Sequence, residues 1–309
     1  MMPRLLKQAG RFLLFIWVVA TLTFLLARAV PGDPALAILG SKPNPEDILR
    51  LRRSLQLDRP LSEQYLRFIL RLAVLDLGES LVDRRPVRSR LRRHLPNTVL
   101  LALAAMALTV PLSLLLGFLS VFGKNRMWEA LATAFSALGL AVPVFLLGLL
   151  LVLVFSLGLG LLPVSGSGGV EFLVLPAVTL AFPLGAFLTR MVRAVLRWEA
   201  QQPYVLLARS KGLGNARIYR RHILKNALIP IATITGMQAG TLLGGAVIVE
   251  NVFSWPGIGT LLVTAIRQRD LPSIQGTVLL MATMYYLANL LVDISYSRLD
   301  PRIPHDRTG

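Results

Sequence analysis

The sequence has no cysteine, which excludes disulfides, thiol nucleophiles and cysteine-bound metals. It has three histidines, His94, His222 and His305, far apart and without carboxylate neighbours in sequence, so each reads as a loop residue rather than a metal ligand. The pattern G-x4-G-K-[ST] is missing; Gly117 to Gly123-Lys124 has five intervening residues and is followed by Asn125. A phosphate cradle needs its glycines at the correct turn and a hydroxyl for magnesium, so this chain alone is not expected to hydrolyse ATP. Neither G-x-S-x-G nor H-E-x-x-H occurs, which leaves a membrane protease or metal enzyme without catalytic residues. Charge is scarce too: 16% of 309 residues are charged, against about 25% in an ordinary soluble domain.

What the chain has instead is apolar length. Hydrophobic residues make up 54% and mean hydropathy is +0.63. That surface is too large for one soluble core, so a membrane protein is expected. A span takes about 20 mostly apolar residues to cross a core roughly 30 Å thick. Six segments qualify: Phe12–Val30, Thr98–Phe122, Leu131–Leu157, Phe172–Val195, Ala227–Val249 and Ile274–Ser295. Pro176 and Pro183 are expected to kink the fourth. The class is an all-α polytopic membrane protein with six transmembrane helices.

The net charge of +17 comes from bases lying between the apolar runs, which points to topology and anionic lipid head groups rather than nucleic acid. Arg4, Lys7, Arg11, Lys124, Arg126, nine bases from Arg190 to Lys225 opposed by Glu199 alone, and Arg298, Arg302 and Arg307 mark one side as inner. Both termini are then inside. The first outer loop, from Pro31 to about Leu95, runs against this trend with 13 bases and 8 acids, and Arg84, Arg85, Arg88, Arg90, Arg92 and Arg93 crowd the second span. Such bias counts for little in long loops, and the sequence assigns the cluster Arg84–Arg93 no role. Pro31-Gly32-Asp33-Pro34 is a turn signal, and apolar residues between Pro45 and Val74 recur at helical spacing, predicting short amphipathic helices on the membrane or over a cavity. Four segments result: an inner segment and first span at 1–30, an outer loop at 31–95, a five-span core at 96–297 with an inner loop at 197–226, and a tail at 298–309.

That inner loop carries the clearest signal. Pro203 suits a helix start, Gly212 and Gly214 can break the helix, and a second helix is expected from about Asn215. On it Arg217, Arg221 and Lys225 recur every four residues; like charges so spaced repel, which makes sense against an anionic surface, lipid or protein. Val205, Leu206, Leu213 and Ile218 add apolar surface. A plain positive-inside anchor remains the alternative on composition alone.

Tyr204, Val205, Ala208, Arg209, Lys211, Gly212, Leu213, Arg221, His222, Leu224, Asn226, Ala227 and Pro230 match a pattern, Y-V-x-x-A-R-x-K-G-L followed by R-H-x-L-x-N-A-x-x-P. It resembles the cytoplasmic "EAA" loop of binding-protein-dependent ABC importer permeases, in the form of the dipeptide/oligopeptide/nickel branch. The glutamate and alanine naming the wider motif would fall at Leu206 and Leu207 and are absent. Other segments agree in order: Phe24 to Pro34, Gly78-Glu79-Ser80 with Pro86-Val87, Leu95 to Thr98, Val249 to Gly259, Ala265 to Asp270, and Leu299 to Arg302. The long first loop resembles the B-type permease.

The resemblance implies a type I ABC importer permease fold with a cytoplasmic coupling helix between spans four and five. It implies a C-type permease partner, two ATPase subunits that bind ATP and Mg, an extracytoplasmic solute-binding protein and a bacterial or archaeal plasma membrane; the chain itself would hold no cofactor or metal and bind no nucleic acid. Ala208, Arg209, Lys211, Gly212, Leu213, Arg217 and Arg221 would couple to the ATPase. The implied substrate is a di- or oligopeptide, with nickel, glutathione or oligosaccharide as alternatives. In span five, Ala232, Gly236, Gly240 and Gly244 form a small-xxx-small seam, read either as bundle packing or as a pathway or partner face. Thr233, Thr235, Gln238 and Thr241 flank it, and Glu250 is either a gate or the cap of the turn after it. Arg28 and Asp293 are expected to snorkel to the interface. A secondary transporter, the main rival, would show inverted repeats and a mid-span carboxylate pair, and neither is evident.

Overall fold

The computed structural model describes residues 2–29, 44, 46, 49–50 and 58–299. The turn at Pro31–Pro34, the helical pattern before residue 58 except at isolated positions, the tail beyond Leu299 and the side chains of Arg28 and Asp293 lie outside the described residues. The described helices are α1 (Met2–Ala29), α2 (Leu61–Ala73), α3 (Val87–Phe122), α4 (Arg126–Ala141), α5 (Val144–Leu151, continued by a π-helical turn Val152–Gly158), α6 (Val170–Ala200), α7 (Pro203–Ser210), α8 (Asn215–Ile218), α9 (Leu224–Val252), α10 (Ile258–Arg267) and α11 (Leu271–Leu299).

Four helices are long and apolar enough to cross a bilayer, within α1, α3, α6 and α11, and up to six spans result if each of two bent pairs is one. The expected third span is not one straight helix. It divides into α4 and α5, which meet at 106°. Pro143 explains the break: it lacks an N–H and forces the preceding residue out of the helical region, and Val142 is extended at φ −87, ψ 121. The prolines of α6 do not end that helix, which continues through Pro176 and Pro183.

The chain forms two compact units. The first comprises Met1–Thr98 and Pro256–Tyr286. In it α2 lies on α1 through Tyr65 and Phe68, whose rings centre 5.2 and 5.6 Å from that of Phe24, and Tyr65 and Thr21 share a hydrogen bond of 2.8 Å. Leu66, Leu70 and Val74, on the other side of that helix, are exposed. A small core gathers Val87 and Leu91 from the start of α3 with Ile258 and Leu261 of α10. Asn97 Nδ2 donates to Pro256 O at 2.8 Å and the Ile258 amide donates to Thr98 Oγ1 at 2.8 Å, which satisfies the first turn of α10.

The second unit comprises Val99–Trp255 and Leu287–Gly309. Its central helix is α6, whose buried residues include Leu175, Leu180, Ala186, Leu188, Val192 and Leu196. α4 approaches so closely that a Cβ on Gly139 would lie 2.4 Å from that of Ala186. Ser113 Oγ and Thr109 Oγ1 of α3 donate to the Gly185 and Ala181 carbonyls at 3.0 and 3.3 Å. Hydroxyls meeting backbone carbonyls between close helices suit a bilayer interior, where lipid offers no partner. Glu129 of α4 is 2.7 Å from Arg197 and 3.7 Å from Arg193 of α6.

Candidate functional site: the basic elbow

The loop between α6 and α9 is built as the sequence predicts, with more order. Pro203 occupies the first turn of α7, where a missing N–H costs nothing. The helix ends in a Schellman arrangement: the Leu213 amide donates to Ala208 O at 3.2 Å and the Gly212 amide to Arg209 O at 2.9 Å. This closure needs a left-handed residue at the penultimate step, and Gly212 supplies it at φ +76. Leu213 follows, half-buried against the cluster that holds Ala208.

The second helix is not regular. α8 passes into a π-helical turn over Tyr219–Ile223 before α9 begins. The extra residue in that turn brings Ile218 and Ile223, five apart, onto one buried side with Ala227 and Ile231. Tyr219 stacks on Phe122 of α3 with ring centres 4.3 Å apart. The same turn breaks the expected strict four-residue repeat of Arg217, Arg221 and Lys225, although all three remain exposed.

Burial sorts the expected coupling residues into two groups. Val205, Ala208 and Ile218 are buried within the second unit and anchor the elbow. Arg209, Lys211, Gly212, Arg217, Arg220 and Arg221 are exposed, and so are two large apolar neighbours, Leu206 at 70% and Leu207 at 56%. No salt bridge engages these cations among the described residues. One buried contact was not legible in sequence: Tyr204 Oη donates to the carboxylate of Glu199, which is buried at the end of α6. Burial raises the Tyr204 pKa, the Glu199 hydrogen bond raises it further, and a hydrogen bond with Asn226 opposes them. That polar trio joins the ends of α6, α7 and α9.

The pathway candidates of α9 are less uniform. Thr235 Oγ1 donates to Ile231 O at 2.8 Å, and Thr241 Oγ1 to Gln238 O at 2.8 Å, so both hydroxyls are engaged locally. Gly240 is buried, Gly236 half-buried, and Gly244 exposed with open space where a Cβ would stand. The helix bends by 50° between Leu242 and Gly244, so the seam does not form one continuous contact line. Glu250 is wholly buried, and its backbone carbonyl, accepting from the Trp255 amide at 2.8 Å, closes the turn.

A second polar cluster was also missed. Asp270 accepts from Ser80 Oγ at 2.6 Å, the Leu81 amide at 3.0 Å and Arg90 Nη1 at 2.8 Å, and that guanidinium also reaches Ser273 Oγ at 2.8 Å. Asp270 is 0% exposed. Ser80 and Asp270 are 190 residues apart, so no spacing rule could pair them, though each lies in a segment that carries the family resemblance.

The described chain is a bundle of long apolar helices with an exposed basic elbow between α6 and α9, the architecture of a polytopic membrane protein. Residues 109–305 match the family model for the binding-protein-dependent transport system inner membrane component, and residues 1–102 match the N-terminal model of the same membrane component. The chain belongs to this family and is an ABC importer permease. It is 36% identical to a protein named as a peptide transport system permease in Brucella abortus, over 98% of this chain and 99% of that one. It is also 36% identical to the glutathione transport system permease protein GsiC of Escherichia coli K12, over 93% of this chain and 94% of that one. Among solved structures, an inward-facing MetNI methionine ABC transporter is similar in fold at TM-score 0.55 and 18% identity, covering 68% of this chain and 96% of that one. An amino acid ABC transporter gives TM-score 0.57 at 17% identity, covering 68% and 94%.

Proposed function

We propose that the chain is the B-type subunit of a peptide importer in a bacterial or archaeal plasma membrane, with both termini cytoplasmic. It forms half of a translocation path with a C-type permease and receives di- or oligopeptides from an extracytoplasmic binding protein. ATP and Mg belong to two separate ATPase subunits, since this chain has no phosphate cradle. The peptide assignment rests on the Brucella relative; the GsiC relative makes glutathione the second reading.

One observation carries the mechanism. The elbow presents Arg209, Lys211, Arg217 and Arg221 beside exposed Leu206 and Leu207, on a backbone pinned by Val205, Ala208 and Ile218. Such a surface fits an ATPase groove with an apolar floor and acidic rim. ATP binding favours the closed ATPase pair, draws two elbows together and shifts the spans from inward-open to outward-open; the shift cannot exceed the difference in nucleotide affinity between the two states. Thr235, Gln238, Thr241 and Glu250 remain candidates for the pathway or its gate, with Gly236, Gly240 and Gly244 as packing positions.

Gly212→Pro and Arg217→Glu test the proposal. Proline cannot adopt φ +76 and removes the amide that caps α7. Both variants are expected to insert normally yet lose transport and substrate-stimulated ATPase activity in the reconstituted importer. Normal transport by both would refute the coupling assignment. Uptake of labelled dipeptide against labelled glutathione decides the substrate.

A further inference from the structure

The cluster Arg84–Arg93 plays no part in coupling and stands against the charge trend of the chain. Its arginines divide sharply. Arg90 turns inward, to Asp270, Ser80 and Ser273. Arg84, Arg85, Arg88, Arg92 and Arg93 are exposed, and none makes a salt bridge among the described residues. The nearby acids are Glu79, exposed, and Asp83, whose carboxylate lies 4.0 Å from Arg90 Nε and accepts from the Arg85 amide at 3.2 Å.

The turn that carries the cluster is held from beneath. Ser80 and Leu81 bind Asp270, the Ser80 amide donates to Arg85 O at 2.9 Å, and the Val87 amide donates to Gly78 O at 2.9 Å. Arg84 stands at φ +57 within this frame. The backbone that carries Arg84 and Arg85 is thus held before any ligand arrives, which lowers part of the ordering cost of binding.

We propose that this patch binds the phosphodiester head groups of anionic phospholipids in the leaflet at the N-terminal end of α3. Three observations favour lipid. First, α3 is one helix of 36 residues, about 54 Å long against roughly 30 Å of hydrocarbon, so it runs past the hydrocarbon core and part of it must cross a head-group layer. Second, at about 100° per residue Arg88 and Arg92 lie within roughly 60° of the stripe continued by Val99 and Leu103, and Leu103 is 63% exposed. Arg92 is seven residues before Val99, about 10 Å along the axis, so the charges sit just above an exposed apolar stripe. Third, all five exposed cations are arginine, whose planar fork matches phosphate bidentately, and between Leu81 and Arg93 the one exposed large apolar side chain among the described residues is Val82. A protein-docking face is ordinarily centred on apolar and aromatic side chains.

The test uses the full-length chain in nanodiscs of phosphatidylcholine doped with phosphatidylglycerol, with retained lipids counted by native mass spectrometry. The wild type is expected to retain phosphatidylglycerol preferentially, and rising salt to weaken that preference. The triple variant Arg88→Gln, Arg92→Gln, Arg93→Gln is expected to lose it, at about fivefold per arginine removed. The corresponding triple lysine variant, with the same charge, is expected to keep most of it and so separates lost charge from lost folding. An unchanged preference in the glutamine triple overturns the proposal. So does full displacement of the lipid by millimolar inorganic phosphate, which would mark a free-anion site. An unchanged lipid preference combined with weakened response to the binding protein in the assembled importer would assign the patch to an acidic protein face instead.

Discussion

Two arginine-rich regions, the elbow between α6 and α9 and the turn before α3, differ in construction. At the elbow, cations project from a short capped helix with exposed leucines among them, over buried Val205, Ala208 and Ile218. At the α3 turn, cations surround one inward arginine that is locked to a buried carboxylate, with Val82, Glu79 and Asp83 exposed beside them. The leucine-lined basic surface suits a protein groove, and the arginine cluster at the start of α3 suits phosphate. Arginine density alone distinguishes nothing in a chain with 33 bases; what lies beneath and beside each cluster does.

The comparison breaks most readily at Asp270. Asp270→Ala leaves Arg90, 15% exposed, without its carboxylate and strips the Ser80 hydroxyl and the Leu81 amide of their acceptor. Removing one member of a buried pair costs about 3–5 kcal/mol. We expect a corresponding fall in denaturation midpoint in detergent, with the elbow's function lost only through unfolding. A variant as stable as the wild type would show that the turn is not held by this carboxylate.

At the elbow the equivalent tie is Tyr204 to Glu199, and its loss is expected to be milder. Tyr204→Phe leaves a buried carboxylate short of one donor, at about 1–3 kcal/mol. The chain should remain folded, but α7 would be less firmly joined to α6. Transport per ATP hydrolysed is then expected to fall while basal ATPase activity of the importer persists. An unchanged ratio would mean that apolar packing alone holds the elbow.

Much of this was legible in sequence, for reasons that can be named. Apolar runs of about 20 residues identify spans because a bilayer imposes length. Pro203 marks a helix start because its missing N–H is not needed there and its φ is already helical, and Gly212 marks a helix end because glycine takes positive φ freely. Pro143 was passed over: its flanks are as apolar as a span, and the break needed attention to the residue before it. The π-turn at Tyr219–Ile223 was hidden because it arises from packing Ile218, Ile223 and Tyr219 together, which no local pattern announces. Ala208 belongs to the family motif and is buried, and a motif does not say which way a residue faces. The Ser80–Asp270 and Tyr204–Glu199 contacts depend on the fold bringing the partners together, the first across 190 residues.

The finest test of the contrast lies in a second carboxylate of the first unit. Asp76 accepts from Arg71 Nε at 2.8 Å and from the Gly78 amide at 2.9 Å, but unlike Asp270 it is half exposed. The Arg71 hydrogen bond, then that of Gly78, holds its carboxyl below the usual aspartate range. A lowered folded pKa means stabilisation that is fully present above the unfolded value and lost as pH falls through the folded one. Water screens an exposed pair to about 1 kcal/mol or less. We expect amide exchange at Gly78 to quicken modestly as pH drops below the ordinary aspartate value, after correction for intrinsic rates, with Asp76→Asn abolishing the response. A response as large as the loss expected for Asp270→Ala would mean that solvent exposure does not separate the two carboxylates, and the distinction between a buried lock and a surface pair in this unit would fail.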